Sequence, residues 1–202
     1  MLLVNSVKNK VRAALSLYAP YAIKRAVWDR LFARIPKEEL AHSAEGSIYP
    51  YLEKYAAGCE VLDLGCGTGT TGNEMAPNYT GYLGVDISRV ALDQAEQLKA
   101  VSGRTQNRFV QADICSYQPE RLYGVILFRD SLYYVPQNRI KAMLDRYGQY
   151  LKPEGVFLVR MHVANPKHAN GIARIIRSGF TLIEEGHAPS PILAFRPRTV
   201  PV

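Results

Sequence analysis

VLDLGCGTGTTG runs from Val61 to Gly72, and its reading decides the fold. Val61, Leu62 and Leu64 form an apolar run with one acid, Asp63, set inside it, and glycines follow at 65, 67, 69 and 72. A buried strand that empties into such a loop and continues as a helix opens a β–loop–α unit. Glycine permits the positive φ of a tight turn. It also removes Cβ, so backbone and ligand can approach to van der Waals distance, while the following helix presents unpaired N–H groups. Ligands of open α/β sheets sit outside the carboxyl ends of the strands. A glycine cluster alone is weak evidence, because ordinary turns carry one too.

From Cys59 onward short apolar runs alternate with helical patterns. The spacing predicts strands at 59–64, 81–86, 108–112, 123–129 and 155–161, with helices near 69–76, 88–101 and 136–151. Ser88 reads as an N-cap and Pro136 as a helix start. YGVILF and GVFLV do not alternate polar with apolar, so both of their faces must be covered, as in a parallel sheet wrapped by helices. After a helix near 167–178 the alternation ends. GFTLIEE at 179–185 and ILAFRP at 192–197 are strands joined by a short turn, and at that range they pair antiparallel. The expected fold class is α/β, doubly wound, mostly parallel, with a C-terminal antiparallel hairpin and the reversed strand at one edge.

Three helices precede this region. Leu3, Val7, Val11, Ala14 and Tyr18 recur at helical spacing over 2–18. After Pro20, Ile23, Val27, Leu31 and Ile35 share a face, and a third helix passes through Ile48, Leu52 and Tyr55. The 202 residues, 48% hydrophobic, suit one core. The expected division is residues 1–40 as basic N-terminal helices, a cap or lid, and residues 41–202 as the main domain. Five of the seven net positive charges lie in residues 1–40. Such a leader can meet phosphates, an anionic membrane surface or an acidic partner, or form a plain solvated helix face. Three cysteines without ligand spacing indicate neither a disulfide framework nor a metal site, and point to a reducing, cytoplasmic compartment. The N-terminus lacks the apolar core of a signal peptide, and no apolar stretch is long enough to span a bilayer.

Asp86 closes the second strand 21 residues past Gly65, the place where an acid accepts hydrogen bonds from ribose hydroxyls. The loop is G-x-G-x-G, and Asp63 just before it would repel a pyrophosphate and welcome an ammonium group. A ribose and a cationic end without a diphosphate describe S-adenosylmethionine. VLDLGCGTG, GVDIS, QADI and LKPEGVFLV together resemble the successive motifs of class I S-adenosylmethionine-dependent methyltransferases, over residues 47–197. The resemblance implies a seven-stranded, Rossmann-like sheet. It places Gly65, Cys66 and Gly67 along the methionine part of the cofactor and Asp63 at its amino group. Asp86 would hold the ribose, Ile87 would pack on adenine, and Asp113 and Ile114 would bind the adenine edge. Backbone near Phe128 and Arg129 would approach the methionine end. The chain departs from the family pattern at Gly124, where relatives often carry Asp, and at Tyr134, where they often carry His.

No strong catalytic signature is present. Methyl transfer from a sulfonium chiefly requires the nucleophile to be held in line and close, with a base where it carries a proton. FRDS stands where an NPPY- or DPPY-type motif would mark methylation of DNA bases or glutamine amides. The candidates near the acceptor are Asp130, Tyr134 and His162, with Tyr133 chiefly packing. His162 could be a general base or could merely hydrogen-bond a loop carbonyl. His187 lies in the hairpin turn, and His42 and His168 read as surface residues. Tyr18, Tyr21 and Trp28 could wall a small-molecule pocket from the leader. A small-molecule acceptor is the leading expectation. RNA or protein methylation guided by the basic leader, and a non-catalytic nucleoside-binding module, are the alternatives.

Overall fold

The computed structural model describes residues 19–34, 47–161, 166–186 and 190–198. The expected helix over 2–18, the 40/41 boundary, and Tyr18, Ile35, His42, His162 and His187 lie outside them. In chain order the elements are α1 Tyr21–Phe32, α2 Tyr49–Tyr55, β1 Glu60–Leu64, α3 Thr70–Glu74, β2 Gly81–Asp86, α4 Arg89–Ser102 and β3 Asn107–Gln111. Then come β4 Tyr123–Arg129, a 3-10 turn Leu132–Tyr134, α5 Gln137–Gly148, β5 Leu151–Arg160, α6 Pro166–Gly179, β6 Phe180–Gly186 and β7 Ile192–Pro197. No described helix is long and apolar enough to cross a membrane.

Seven strands form one sheet in the order β3-β2-β1-β4-β5-β7-β6. β1 to β5 pair in parallel, and β7 is antiparallel to both β5 and β6. Strand order therefore reverses between β1 and β4, which opens a crevice above their carboxyl ends. The hairpin is as expected, but the reversed strand is β7, one in from the edge. Its ILAF is buried throughout, whereas β6 is largely exposed and carries Glu184 and Glu185, paired with Lys54 and Arg177. A charged edge strand resists pairing with other chains.

Other boundaries shift by a few residues. β5 begins at Leu151 and α5 ends at Gly148. A register irregularity in β4 between Tyr123 and Val125 lets Leu151 pair with Tyr123 ahead of the main ladder. Residues 152–154 are exposed there, so no apolar period marks them.

The sheet separates two apolar layers. Leu62, Leu64, Phe128, Phe157 and Phe195 face α5 and α6 on one side. Val61, Leu127 and Leu158 face Leu52 of α2 and Met75 on the other. Gly124 lies where an added Cβ would come within 2.5 Å of Cys59 Cβ, so its departure from the family pattern serves local strand packing.

Gly69 needs glycine twice over. Its φ is +70°, and a Cβ would lie 2.8 Å from Phe109 and from Ala95. Gly103 has φ +68° and open space around it. Gly103→Ala should cost about 1 kcal/mol of backbone strain. Gly69→Ala should cost that plus roughly 1–3 kcal/mol of overpacking. Urea unfolding of the two variants measures the difference, and equal losses would contradict the close packing of the loop on β3 and α4.

Candidate active site

The glycine loop is pinned from both sides. The Gly65 and Cys66 N–H groups donate to Val85 O at 2.7 and 3.1 Å, and the Ser131 hydroxyl donates to Leu64 O at 2.5 Å. Gly65 has φ +83°, and a Cβ there would lie 2.4 Å from Ser131 Cβ. Its bare backbone thus admits a neighbouring protein loop. The Gly67 N–H donates to Asp86 Oδ2 at 2.9 Å, while the Ser88 N–H donates to Asp86 Oδ1 at 2.8 Å. Each oxygen of Asp86 keeps further acceptor capacity. Burial of Asp86 pushes its carboxyl up to about 6, against these amide bonds.

Asp63 is wholly buried at the end of β1. The Tyr82 hydroxyl donates to its Oδ2 at 2.5 Å, and Oδ1 has no hydrogen-bond partner among the described residues. Burial pushes this carboxyl up to about 7, with Tyr82 and the Arg129 charge pulling the other way. Arg129 is held by Thr71 Oγ1 at 3.1 Å and Tyr49 Oη at 3.3 Å, over the Tyr49 ring.

At the far end of the crevice the Cys115 N–H donates to Asp113 Oδ1 at 2.9 Å, and Lys24 of α1 pairs with Asp113 Oδ2. Ile114 O accepts from the Tyr147 hydroxyl at 2.7 Å and from Arg146, which fixes the loop after β3. At the near end Asp130 has φ +57°, the one positive φ outside glycine among the described residues. Its Oδ2 pairs with the buried Arg160, and its Oδ1 is buried with no partner among the described residues. Tyr134 packs edge-on against Trp28 at 4.7 Å and beside Tyr133 at 4.6 Å.

One cavity of about 350 Å³ joins these groups. Of the residues singled out from the sequence, Asp63, Gly65, Cys66, Gly67, Asp86, Ile87, Asp113, Ile114, Arg129, Asp130 and Tyr134 line it. Phe128 enters the expectation through its backbone; its ring is buried on the other face of the sheet, 6.1 Å from Tyr147, because successive strand residues alternate faces. His162 lies outside the described residues. His168 is not a free surface residue: it is half-buried, its Nε2 meets Tyr133 O at 3.1 Å and its Nδ1 meets Gln137 Nε2 at 3.1 Å. It steadies the turn that carries Tyr133 and Tyr134. Lys24 was not foreseen as a site residue, and neither were Thr71 and Ser131. Each works through a partner distant in sequence. α1 also turns a different stripe inward than periodicity suggests: Lys24, Trp28, Leu31 and Phe32 face the cavity, and Ile23 is 45% exposed.

Residues 61–155 match the protein family described as "Methyltransferase domain". Trans-aconitate 2-methyltransferase of Enterobacter sp. (strain 638) is 34% identical over 113 residues, 54% of this chain and 42% of that one. Ubiquinone biosynthesis O-methyltransferase of Leptothrix cholodnii is 30% identical over 113 residues, 54% of this chain and 47% of that one. The fold matches N-methyltransferase NodS of Bradyrhizobium japonicum WM9, solved with S-adenosyl-L-homocysteine, at TM-score 0.70 and 17% identity, covering 87% of this chain and 98% of that one. Over residues 61–155 the chain is thus similar in sequence to methyltransferase domains, on a fold shared with a methyltransferase solved with S-adenosyl-L-homocysteine. It spans about half the length of the curated relatives it matches.

The cofactor of this domain class is S-adenosylmethionine, and the residues of the methyltransferase domain fit it. An orphaned carboxylate oxygen on Asp63 suits an ammonium, and Asp86, anchored by two amides, suits a pair of hydroxyls. The bare backbone at Gly67 suits close approach.

Burial holds the proton on Asp63 to higher pH in the folded state than in the unfolded chain, from the ordinary 3.8 to about 7. This contribution to stability is therefore fully present at low pH and is lost as pH rises through that window. Without cofactor, Asp63→Asn should raise Tm relative to wild type at pH 8 by a few degrees, about 1 kcal/mol or more, and the gap should close toward pH 4. The same variant should bind S-adenosylhomocysteine about ten-fold or more weakly, the loss of a charge-assisted bond. Thermal scans across pH with calorimetry check both; a pH-independent gap would contradict the buried charge.

Proposed function

We propose that this methyltransferase domain transfers the methyl group of S-adenosylmethionine to a small-molecule acceptor held against Asp130 and beneath the Trp28–Tyr134 wall. One observation supports the reading: Asp63, Asp86 and Asp113 share a single cavity of about 350 Å³ with the aromatic wall of Trp28 and Tyr134. Pockets for small ligands run from roughly 300 to 1,000 Å³ and are walled by aromatic side chains with a few fixed polar groups. Asp63, Asp86, Asp113 and Asp130 line the cavity beside the cations Lys24 and Arg129, each of which is engaged with partners. The names of the relatives, trans-aconitate 2-methyltransferase and ubiquinone biosynthesis O-methyltransferase, support a small acceptor without choosing the methylated atom.

Bound S-adenosylmethionine supplies an electrophilic methyl on a sulfonium. The chain's own residues place the acceptor and take its proton. Asp130 sits in the left-handed region, which Asp tolerates better than most residues. Arg160 fixes one of its oxygens and leaves the other to accept a hydrogen bond from an acceptor O–H or N–H. Burial pushes the Tyr133 phenol above its ordinary range, so it stays protonated and acts as wall or donor rather than base. His162, just past the carboxyl end of β5, is the second base candidate.

The test is incubation with S-adenosylmethionine and a panel of carboxylic acids, phenols and amines, followed by mass spectrometry of product and S-adenosylhomocysteine. A methylated small molecule is expected. Asp130→Asn should lower kcat about 100-fold, the usual loss of a positioned base, and leave S-adenosylhomocysteine affinity unchanged. Methyl incorporation into RNA or protein, with none in the panel, would overturn the reading.

A further inference from the structure

α1 belongs to neither apolar layer. None of its twelve residues is buried. Two polar anchors hold it, one turn and a half apart. Lys24 pairs with Asp113 after β3. Asp29 Oδ1 accepts from the Ser88 hydroxyl at 2.7 Å and from the Val90 N–H at 3.3 Å, at the start of α4. Both anchors land beside the acids that the reading above gives to the nucleoside: Asp113 itself, and Ser88, whose N–H binds Asp86. Lys24, Trp28 and Leu31 follow at helical spacing, so the Lys24 anchor lies on the face turned to the cavity, and Asp29 holds the helix from its flank. The Phe32 ring closes over the glycine loop, 3.4 Å from where a Cβ on Gly67 would lie. Trp28 then meets Tyr134 at the acceptor end.

A helix with no buried residue of its own and two polar anchors belongs to the low-stability end of a fold. Whatever fills the cavity beneath it supplies the packing that the helix lacks. Asp113 Oδ2 can accept a second hydrogen bond beside the one from Lys24, so the ion pair and an exocyclic amine are compatible at the same carboxylate.

We propose that α1 is a strap that senses the cofactor: occupancy of the nucleoside end by the adenosyl group and docking of α1 stabilise each other, and docking sets the Trp28–Tyr134 wall for the acceptor. The inference rests on the placement of the adenosyl group over β2 and β3. Lys24 and Asp29 are positioning residues in this scheme, acting through Asp113 and Ser88. Coupling of this kind is reciprocal, so cofactor occupancy favours the docked α1 with its acceptor wall, and the docked α1 tightens cofactor binding by the same factor.

Trp28 is the single tryptophan of the chain, so its emission reports α1 directly. Acrylamide quenching of the full chain is followed while S-adenosylhomocysteine is titrated, with calorimetry alongside. Wild type should become protected from quenching, with the same midpoint as the heat signal. Lys24→Gln combined with Asp29→Ala should bind S-adenosylhomocysteine about five-fold or more weakly and leave Trp28 open to quencher at saturation. Lys24→Arg, with Asp29 intact, should behave as wild type. Calorimetric uptake without protection of Trp28, or a double variant matching wild type in both signals, would overturn the strap. Absence of calorimetric uptake by wild type would refute the cofactor placement itself, and the strap with it.

Discussion

A carboxylate buried where β1 meets its glycine loop is the constraint on which the rest of the site depends. Asp63 has one hydroxyl partner and one oxygen without any among the described residues. Tyr82 and the Arg129 charge offset only part of the cost of burying this carboxylate, and strongly perturbed acids in a cleft cluster at ligand sites. A cation at that point is the natural complement. The rest of the loop is arranged around this need: two amides fix the loop on Val85 O, Ser131 fixes it on Leu64 O, and Gly67 hands its N–H to Asp86. Tyr82, which orders Asp63, also packs where a Cβ on Gly72 would stand. Sequence spacing, strand pairing and site electrostatics thus converge on two neighbouring strand ends.

Much of this was legible from the letters, for reasons that can be named. Runs such as Val125 to Phe128 are apolar on both faces, and only a covered parallel sheet buries both. Asp86 was found because the length of one β–α–β unit fixes where the second strand ends. The same continuous burial leaves no alternation to read, so the side of the sheet taken by the Phe128 ring and by Arg129 is settled only by the fold. The glycines also make room for protein: an added Cβ would meet Ser131 at 65, Phe109 and Ala95 at 69, and Tyr82 at 72, none of them near in sequence.

What stayed hidden depends on contacts between distant residues. Lys24 and Asp113 are 89 positions apart, and no local period announces their pairing. The apolar stripe of α1 suggested a face through Ile23, but the helix covers a cavity rather than a core, so the inward face mixes a lysine with Trp28, Leu31 and Phe32. His168 carries no motif and gains its role only when α6 is laid against the turn before α5. A fold of this class supports many reactions, so the acceptor is decided by the residues around the site rather than by the sheet.

The most direct measurement is the proton balance of cofactor uptake. Calorimetry of S-adenosylhomocysteine binding near pH 6.5, in two buffers of different ionisation enthalpy, reads the protons exchanged. With Asp63 held up to about 7 and Asp86 to about 6 by burial, pairing with an ammonium and with ribose hydroxyls should drive both to the ionised form. Release of about half a proton or more per ligand follows from linkage. Binding with no proton release, or with uptake, would contradict the claim that the buried acids are completed by the cofactor.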